Sequence, residues 1–236
     1  MTELLISEIT LMQRGLCVIG LERSDGHFRS LRPIPPNSNA WKQFPYRRAD
    51  KVAFDLSSSP GIAPHVEDRL SAKDRKSGSV TENELVDCLR KAETASSIKD
   101  LFGCRVHLSK RGGLAVYVDP SDAIRSICGC EIESISFSFR FYPEAIRAAL
   151  ALKSGETLDS LPVVDCEWRE FAGDVAKQVG NQIEDCFDSF VKKQLLPSPI
   201  RFARIGIARP DREGLCWLML DSLFPLPKKH WLKELK

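Results

Sequence analysis

The chain has 236 residues, of which 43% are hydrophobic and 28% are charged, and this balance excludes an intrinsically disordered protein. A formal net charge of +2 excludes the overall field of a histone tail, so any contact with nucleic acid must come from local patches. No run approaches the ~20 apolar residues of a membrane span, so we expect a cytoplasmic protein without membrane contact.

The first part of the chain carries the pattern of short strands. Strands are predicted in residues 3–12, 16–21, 27–31 and 51–56. Ser24-Asp25-Gly26 predicts a tight hairpin turn, and Pro33, Pro35 and Pro36 predict the end of the third strand, because proline cannot donate to a ladder. In the fourth strand Val52 and Phe54 alternate with polar residues. Short strands at this spacing favour a small barrel.

The middle of the chain mixes a loop, helices and a hairpin. Residues 70–81 are almost free of apolar side chains and predict an exposed loop. Thr81 and Glu84 form a capping-box pattern that predicts a helix to about residue 95. A short helix is predicted over residues 97–102, and a hairpin over 105–108 and 114–118.

The last part predicts a half-buried strand over 131–141, helices over 143–152 and 172–195, and a hairpin of strands 200–208 and 215–223. Strand-rich ends with helices between them indicate an α+β fold of two OB-like antiparallel β-barrels with inserted helices. We expect an N-terminal barrel in residues 1–80, a helical and hairpin connection in 81–130, and a C-terminal barrel with a long inserted helix in 131–236.

Eight cysteines are scattered along the chain, mostly beside apolar residues, and no secretory leader precedes them. This pattern is typical of reduced, buried thiols. Cys128 and Cys130 form the one close pair, but His65 and His107 do not stand at a ligand-like spacing. We therefore expect no metal and no cofactor.

Several short motifs carry a resemblance, and their order and spacing agree with it. They are CVIGL (17–21), RSLRP (29–33), KVAFDL (51–56), PHVED (64–68), IGIARP (205–210), LCWLMLD (215–221) and Phe224-Pro225. In these motifs the chain resembles the prokaryotic dual OB-containing domain proteins, while its middle is not covered. The resemblance implies two OB-like barrels in a bacterial conflict or antiviral defence setting, with nucleic-acid or nucleotide binding as the role.

Arg32 is the first candidate ligand-binding residue. A guanidinium held at a strand end by Pro33 suits a phosphate or a base edge. The alternative is a structural arginine that is paired with Asp55, Glu67 or Asp68 and braces the barrel mouth.

His65, Glu67 and Asp68 bring an imidazole and two carboxylates within four residues, which indicates acid–base or metal-ligand chemistry. They are the only catalytic candidates, and His65 and Glu67 are also ligand-binding candidates. In an extended segment His65 and Glu67 share one face while Asp68 takes the other, so the three converge only if the chain bends. A hydrogen-bonded loop is the simpler alternative.

The clearest interleaving of rings and cations lies in residues 41–48. Its ligand-binding candidates are Trp41, Lys42, Tyr46, Arg47 and Arg48. Rings here could stack on bases, each stack contributing about 1–3 kcal/mol, or could pack the loop onto the barrel. Further basic groups occur at 73–76, at 110–111 and at 201, 204, 209 and 212, as a phosphate-tracking groove would need.

Asp165, Glu167 and Arg169 alternate, so an extended segment would present them on one side, as a site or as a salt-bridged exposed face. No Gly-rich dinucleotide motif, Walker loop, HExxH or GxSxG occurs, which favours binding over catalysis.

The leading hypothesis is an accessory subunit that binds single-stranded nucleic acid or a nucleotide beside an enzymatic partner encoded nearby. The alternatives are a metal-dependent hydrolase or nuclease using His65, Glu67 and Asp68, and a protein-interaction scaffold.

Overall fold

The computed structural model describes residues 1–38, 40–58, 61–117, 123–139, 146–228 and 230–232. Its β-strands form a closed five-stranded barrel and a seven-stranded sheet, which confirms the β-barrel character expected from the strand spacing. The barrel strands are β1 (Thr2–Met12), β2 (Gly15–Ser24), β3 (His27–Ile34), β4 (Asp50–Leu56) and β5 (Asp68–Ser79).

The barrel closes because β1 pairs antiparallel with both β2 and β4, while β5 lies between β3 and β4. The pairing of β3 with β5 is parallel. The β2–β3 hairpin turns at Asp25 and Gly26, whose φ angles of 50° and 82° match the strand twist. The predicted turn is therefore confirmed.

The barrel core is built from alternate residues of its strands, as predicted for β4. Val52 and Phe54 are fully buried, and they pack with Leu4, Val18 and Leu31. Burial of these branched and aromatic side chains drives closure of the barrel.

The structure corrects two strand predictions in this barrel. Residues 70–81 are not a loop, because β5 runs through them and pairs with β4 although residues 72–77 are exposed. The third strand, predicted over 27–31, runs on to Ile34 and then ends before Pro35, within the proline segment predicted to stop it; Pro33 lies opposite Arg69 in the parallel pair. Pairing of β2 with β3 extends only to Leu31. The N–H that Pro33 lacks therefore removes no hydrogen bond from the β2–β3 ladder.

The second sheet has the order β10-β9-β8-β11-β12-β7-β6. Its strands are β6 (His107–Leu108), β7 (Leu114–Tyr117), β8 (Ile127–Ser138), β9 (Arg147–Leu152), β10 (Thr157–Pro162), β11 (Phe202–Ile207) and β12 (Leu215–Phe224). Just after β10, Val163 forms a parallel bridge with Leu220 of β12. The hairpin of β6 and β7 falls inside the predicted connection 81–130, but it pairs with this sheet.

The helices are α1 (Glu82–Arg90), α2 (Cys166–Val179) and α3 (Ile183–Phe190). The capping box of Thr81 and Glu84 is confirmed, although α1 ends at Arg90 rather than near residue 95. The short helix predicted over 97–102 is one 3₁₀ turn, Ile98–Asp100. No described helix is both long and apolar enough to cross a membrane.

Three predictions in the last part are wrong. The helix expected over 172–195 starts earlier, at Cys166, and is interrupted at Gly180, which has a positive φ of 57°. The helix expected over 143–152 is strand β9 in its described part, where Arg147–Leu152 pairs with β8 and β10. Residues 165–169 are not extended, because Asp165 caps the start of α2.

An apolar contact joins the barrel to the second sheet. Leu5 and Leu21, on the outer side of β1 and β2, pack against Leu85 of α1 and against Phe202 and Phe224. The outer face of the first hairpin is therefore buried, and the polar groups nearby are forced to pair with one another.

Candidate functional site

Arg32 lies where the barrel meets the second sheet, and its contacts are structural. Its Nη1 donates to Asp68 Oδ1 at 3.1 Å and to His65 Nδ1 at 3.0 Å, and its Nη2 donates to Ser126 Oγ at 3.0 Å. The residue is 8% exposed. Arg209 Nη2 donates to the other oxygen of Asp68 at 2.6 Å. Arg32 therefore braces the barrel mouth through Asp68, one of the partners considered from the sequence, and Asp55 is not among its contacts.

His65 is a neutral imidazole in this arrangement. Arg32 can only donate, so Nδ1 accepts its hydrogen bond. Burial lowers the pKa of His65 to about 2, with the charges of Arg32 and Arg209 adding to the effect. At neutral pH a buried imidazole of this kind cannot supply a proton as an acid.

Glu67 links the barrel to the segment that leads into the second sheet. Its carboxylate accepts from the backbone N–H of Ser126 at 2.7 Å and from the Ser126 hydroxyl at 2.8 Å. Within the described ranges, no three His, Cys, Asp or Glu side chains come together as a metal site. His65, Glu67 and Asp68 lie near one another, but each is held in a buried contact with Arg32 or with Ser126.

Arg48 is not on the surface. Its side chain is 1% exposed, and it donates to both carboxylate oxygens of Asp165 at 2.6 and 3.0 Å and to Ser222 Oγ at 2.7 Å. Asp165 also accepts from the first turn of α2, at the backbone N–H of Glu167. The two carboxylate oxygens match the fork of the guanidinium, so this pair fixes α2 against the barrel.

A third buried arginine crosses the same contact. Arg204 of β11 donates to Glu8 of β1 at 2.8 Å and to Ser30 of β3 at 2.6 Å, and both charged side chains are fully buried. Asp221 lies nearby, and its Oδ1 has no hydrogen-bond partner among the described residues. A Cβ on Gly206 would overlap the carboxylate of Asp221, so only glycine fits there.

Together these residues form what we call the buried charge layer between the barrel and the second sheet. Its members are Glu8, Arg32, Arg48, Asp68, Asp165, Arg204 and Asp221. Arg32 and Asp68 are candidate site residues in the sequence motifs, and Asp221 ends the motif LCWLMLD. Glu8 stands in no motif, and its one sequence sign is a carboxylate in a strand that is mostly apolar.

The rings of the 41–48 segment face the barrel core. Trp41 Nε1 donates to the Pro33 carbonyl at 2.9 Å, and its ring lies edge-on to Phe44, with centroids 5.3 Å apart. The Tyr46 hydroxyl donates to Asp74, and this hydrogen bond raises the pKa of Tyr46 to about 12. Both predicted stacking residues are thus tied to the barrel by hydrogen bonds.

Lys42 and Arg47 are exposed, in contrast to Arg48. Arg47 lies beside β5, because its backbone N–H donates to Asp50 at 2.9 Å, and Asp50 pairs with Lys76 of β5 at 2.6 Å. Lys73 and Arg75, also on β5, are exposed too.

We call Lys42, Arg47, Lys73 and Arg75 the basic surface. None of the four has an ion pair with any residue that the structure describes. Residues 41–47 and 72–77 hold five cations and a single carboxylate, Asp74, which is bonded to Tyr46. These two segments are therefore locally positive although the whole chain is nearly neutral.

Of the basic groups noted in the sequence beyond the first barrel, Arg111, Arg201, Arg204 and Arg209 have carboxylate partners, whereas Lys110 and Arg212 are exposed without an ion pair to a described residue. Arg111 pairs with Asp211 at 3.0 Å and with Glu213, and its guanidinium lies 5.8 Å from the Trp217 ring centroid. Arg209 pairs with Asp68. These arginines have carboxylate partners and are therefore less available to phosphate than those of the basic surface.

Comparison with known proteins does not assign a family. No protein-family model matches the chain, and no curated protein matches it. Among solved structures, the chain is similar to a murine DNA-binding protein bound to double-stranded DNA. The identity is 11%, the match covers 93% of this chain and 92% of that chain, and the TM-score is 0.30. A TM-score this low carries no argument about the fold or the ligand.

Proposed function

We propose that this protein binds nucleic acid through the basic surface of a molecule built from two OB-like barrels. The observation that carries the proposal is the contrast among the cations. Arg32, Arg48 and Arg204 are buried in pairs, whereas Lys42, Arg47, Lys73 and Arg75 are exposed without ion pairs to described residues. Exposed, uncompensated cations are what phosphate contacts require.

The strand connections support a second OB-like barrel. The first barrel follows the circuit β1-β2-β3-β5-β4 back to β1, with β3 and β5 parallel. Strands β8, β9, β10, β12 and β11 follow the same circuit, in which Val163 beside Leu220 supplies the parallel contact. Helices α2 and α3 lie between the third and fourth strands of this circuit. The OB fold is a five-stranded barrel that serves as a platform for oligonucleotides.

The biological setting that we propose is that of an accessory subunit in a bacterial defence system, acting in the cytoplasm beside an enzymatic partner. It rests on the resemblance of the sequence motifs. The buried contacts of His65, Glu67 and Asp68 give the metal-dependent nuclease alternative no supporting geometry among the described residues.

The test is fluorescence anisotropy at low salt with labelled single-stranded DNA and RNA. We expect binding by the wild-type protein and several-fold weaker binding by the double variant Lys42→Ala with Arg47→Ala. The matched control is Lys192→Ala with Lys193→Ala, which removes two exposed lysines beyond α3. No binding to either nucleic acid, or an equal loss in the control, would overturn the proposal.

A further inference from the structure

The aromatic side chains bear on how a nucleic acid would be held. Among the rings whose exposure the structure describes, which leaves out Tyr117, Phe141 and Tyr142, none is largely exposed, although Trp41, Phe44 and Tyr46 are partly so. Proteins that grip single strands by their bases do so on open ring faces, each stack contributing about 1–3 kcal/mol. The described side chains include no fully open ring of this kind.

The rings next to the basic surface are already packed. Phe44 lies between Trp41 and Tyr46, with centroids 5.3 and 5.2 Å away, and Trp41 also contacts Phe54 at 6.4 Å. Trp41 is anchored to the Pro33 carbonyl, and Tyr46 is anchored to Asp74. These ring contacts and hydrogen bonds hold both rings against the barrel.

The surface that OB-like barrels commonly use is also occupied in the first barrel. Ligands of this fold bind on strands 2 and 3 and the adjoining loops. Here Leu21 on the outer side of β2 packs against α1 and β12, and Ile19 packs against Ile127 of β8. The cations of the basic surface lie elsewhere in this barrel, on β5 and in the 41–47 segment; Arg14, Arg23 and Arg29 are further exposed cations of the barrel, of which Arg29 pairs with Glu22.

We propose that the basic surface binds the sugar–phosphate backbone of a nucleic acid without stacking its bases. This inference rests on the proposed function and specifies what that function recognises. Cations supply attraction to any phosphate chain, whatever its sequence. Recognition of this kind is independent of the identity of the bases and of their presence.

The experiment compares two labelled strands of equal length and equal phosphate number. One is oligothymidine, and the other is an abasic strand in which tetrahydrofuran replaces every nucleoside. Affinities are measured by anisotropy at one low salt concentration, for the wild-type protein, for Lys73→Ala with Arg75→Ala, and for the control Lys192→Ala with Lys193→Ala.

We expect the two strands to bind the wild-type protein with affinities within about twofold, because a single stacked base would already contribute roughly fivefold or more. Lys73→Ala with Arg75→Ala should lower the affinity for both oligonucleotides by the same factor. The control variant should lower the affinity for neither. If oligothymidine binds at least about fivefold more tightly than the abasic strand, this inference is overturned while the proposed function stands. If neither strand binds, and RNA does not bind either, the proposed function itself is overturned.

Discussion

At the residue scale, Arg48 and Asp165 lie 117 positions apart in the chain, yet they form the best-buried bidentate pair in the described structure. Asp165 accepts from the guanidinium, from the start of α2 and from the backbone N–H of Leu223 at 3.2 Å. One carboxylate therefore ties together the barrel, a helix and β12. Its position depends on Arg48, because a buried charge without a partner is costly.

We predict that Arg48→Ala lowers the free energy of unfolding by about 3–5 kcal/mol, since it leaves the Asp165 carboxylate buried without its cation. The measurement is urea unfolding followed by circular dichroism. The neighbouring exposed residue supplies the control, because Arg47→Ala should change stability by no more than about 0.5 kcal/mol. Equal effects of the two substitutions would show that Arg48 is not a structural arginine.

Asp221 makes the stability depend on pH. Burial raises the pKa of Asp221 to about 7, with Glu8 adding to the shift and with Arg32 and Arg204 opposing it. The same carboxyl in the unfolded chain has a pKa of about 3.9. Between these values the folded protein keeps a proton that the unfolded chain loses, so the free energy of unfolding falls as pH rises through this window and levels off above it.

We predict that Asp221→Asn removes this pH dependence, because the amide has no charge to bury. The variant should match the wild-type protein below about pH 4 and exceed it by a growing margin above that, reaching a few kcal/mol at about pH 8. The quantity to measure by urea unfolding is the difference in the free energy of unfolding between the two proteins. A difference is needed because the lowered pKa of His65 acts in the opposite direction in both proteins and destabilises the fold as pH falls. A difference that does not change with pH would contradict the account.

At the scale of the element, the sequence predicts a strand well where burial and turn chemistry are local. Strands β1 to β4 follow from alternation and from Asp25-Gly26. Strand β5 is missed because its polar residues carry no period, and it is defined by its pairing with β4 and, at its first residues, with β3. Strand β9 is missed because Arg147–Leu152 is rich in alanine and leucine, whose helix propensity is overridden by pairing on both sides.

The capping box at α1 is an element that the sequence predicts in full. Thr81 Oγ1 accepts from the backbone N–H of Glu84 at 3.3 Å, and Glu84 accepts from the backbone N–H of Thr81 at 2.8 Å. We predict that Thr81→Ala lowers the free energy of unfolding by about 1 kcal/mol, because one N-terminal amide of the helix loses its acceptor. Thr81→Ser keeps the hydroxyl and should restore most of that loss in the same unfolding measurement. An unchanged stability in Thr81→Ala would show that the cap contributes nothing here.

At the scale of the whole molecule, the candidate site shows the limits of sequence motifs. The PHVED motif resembles catalytic chemistry, but in the structure it braces the contact between the barrel and the second sheet through Arg32 and Ser126. Pairs such as Glu8 with Arg204, 196 positions apart, have no local pattern from which they could be predicted. Arg47 is exposed and Arg48 is buried, and no sequence motif encodes that difference.

The account's central claim is that the basic surface contacts phosphates, and the salt dependence of binding tests it most directly. Four phosphate contacts on a single strand predict that the logarithm of the affinity falls against the logarithm of the salt concentration with a slope of about −2.8. Lys73→Ala with Arg75→Ala should make that slope shallower by about 1.4, and Lys192→Ala with Lys193→Ala should leave it unchanged. A slope near zero, or one that the β5 variant does not alter, would contradict the claim.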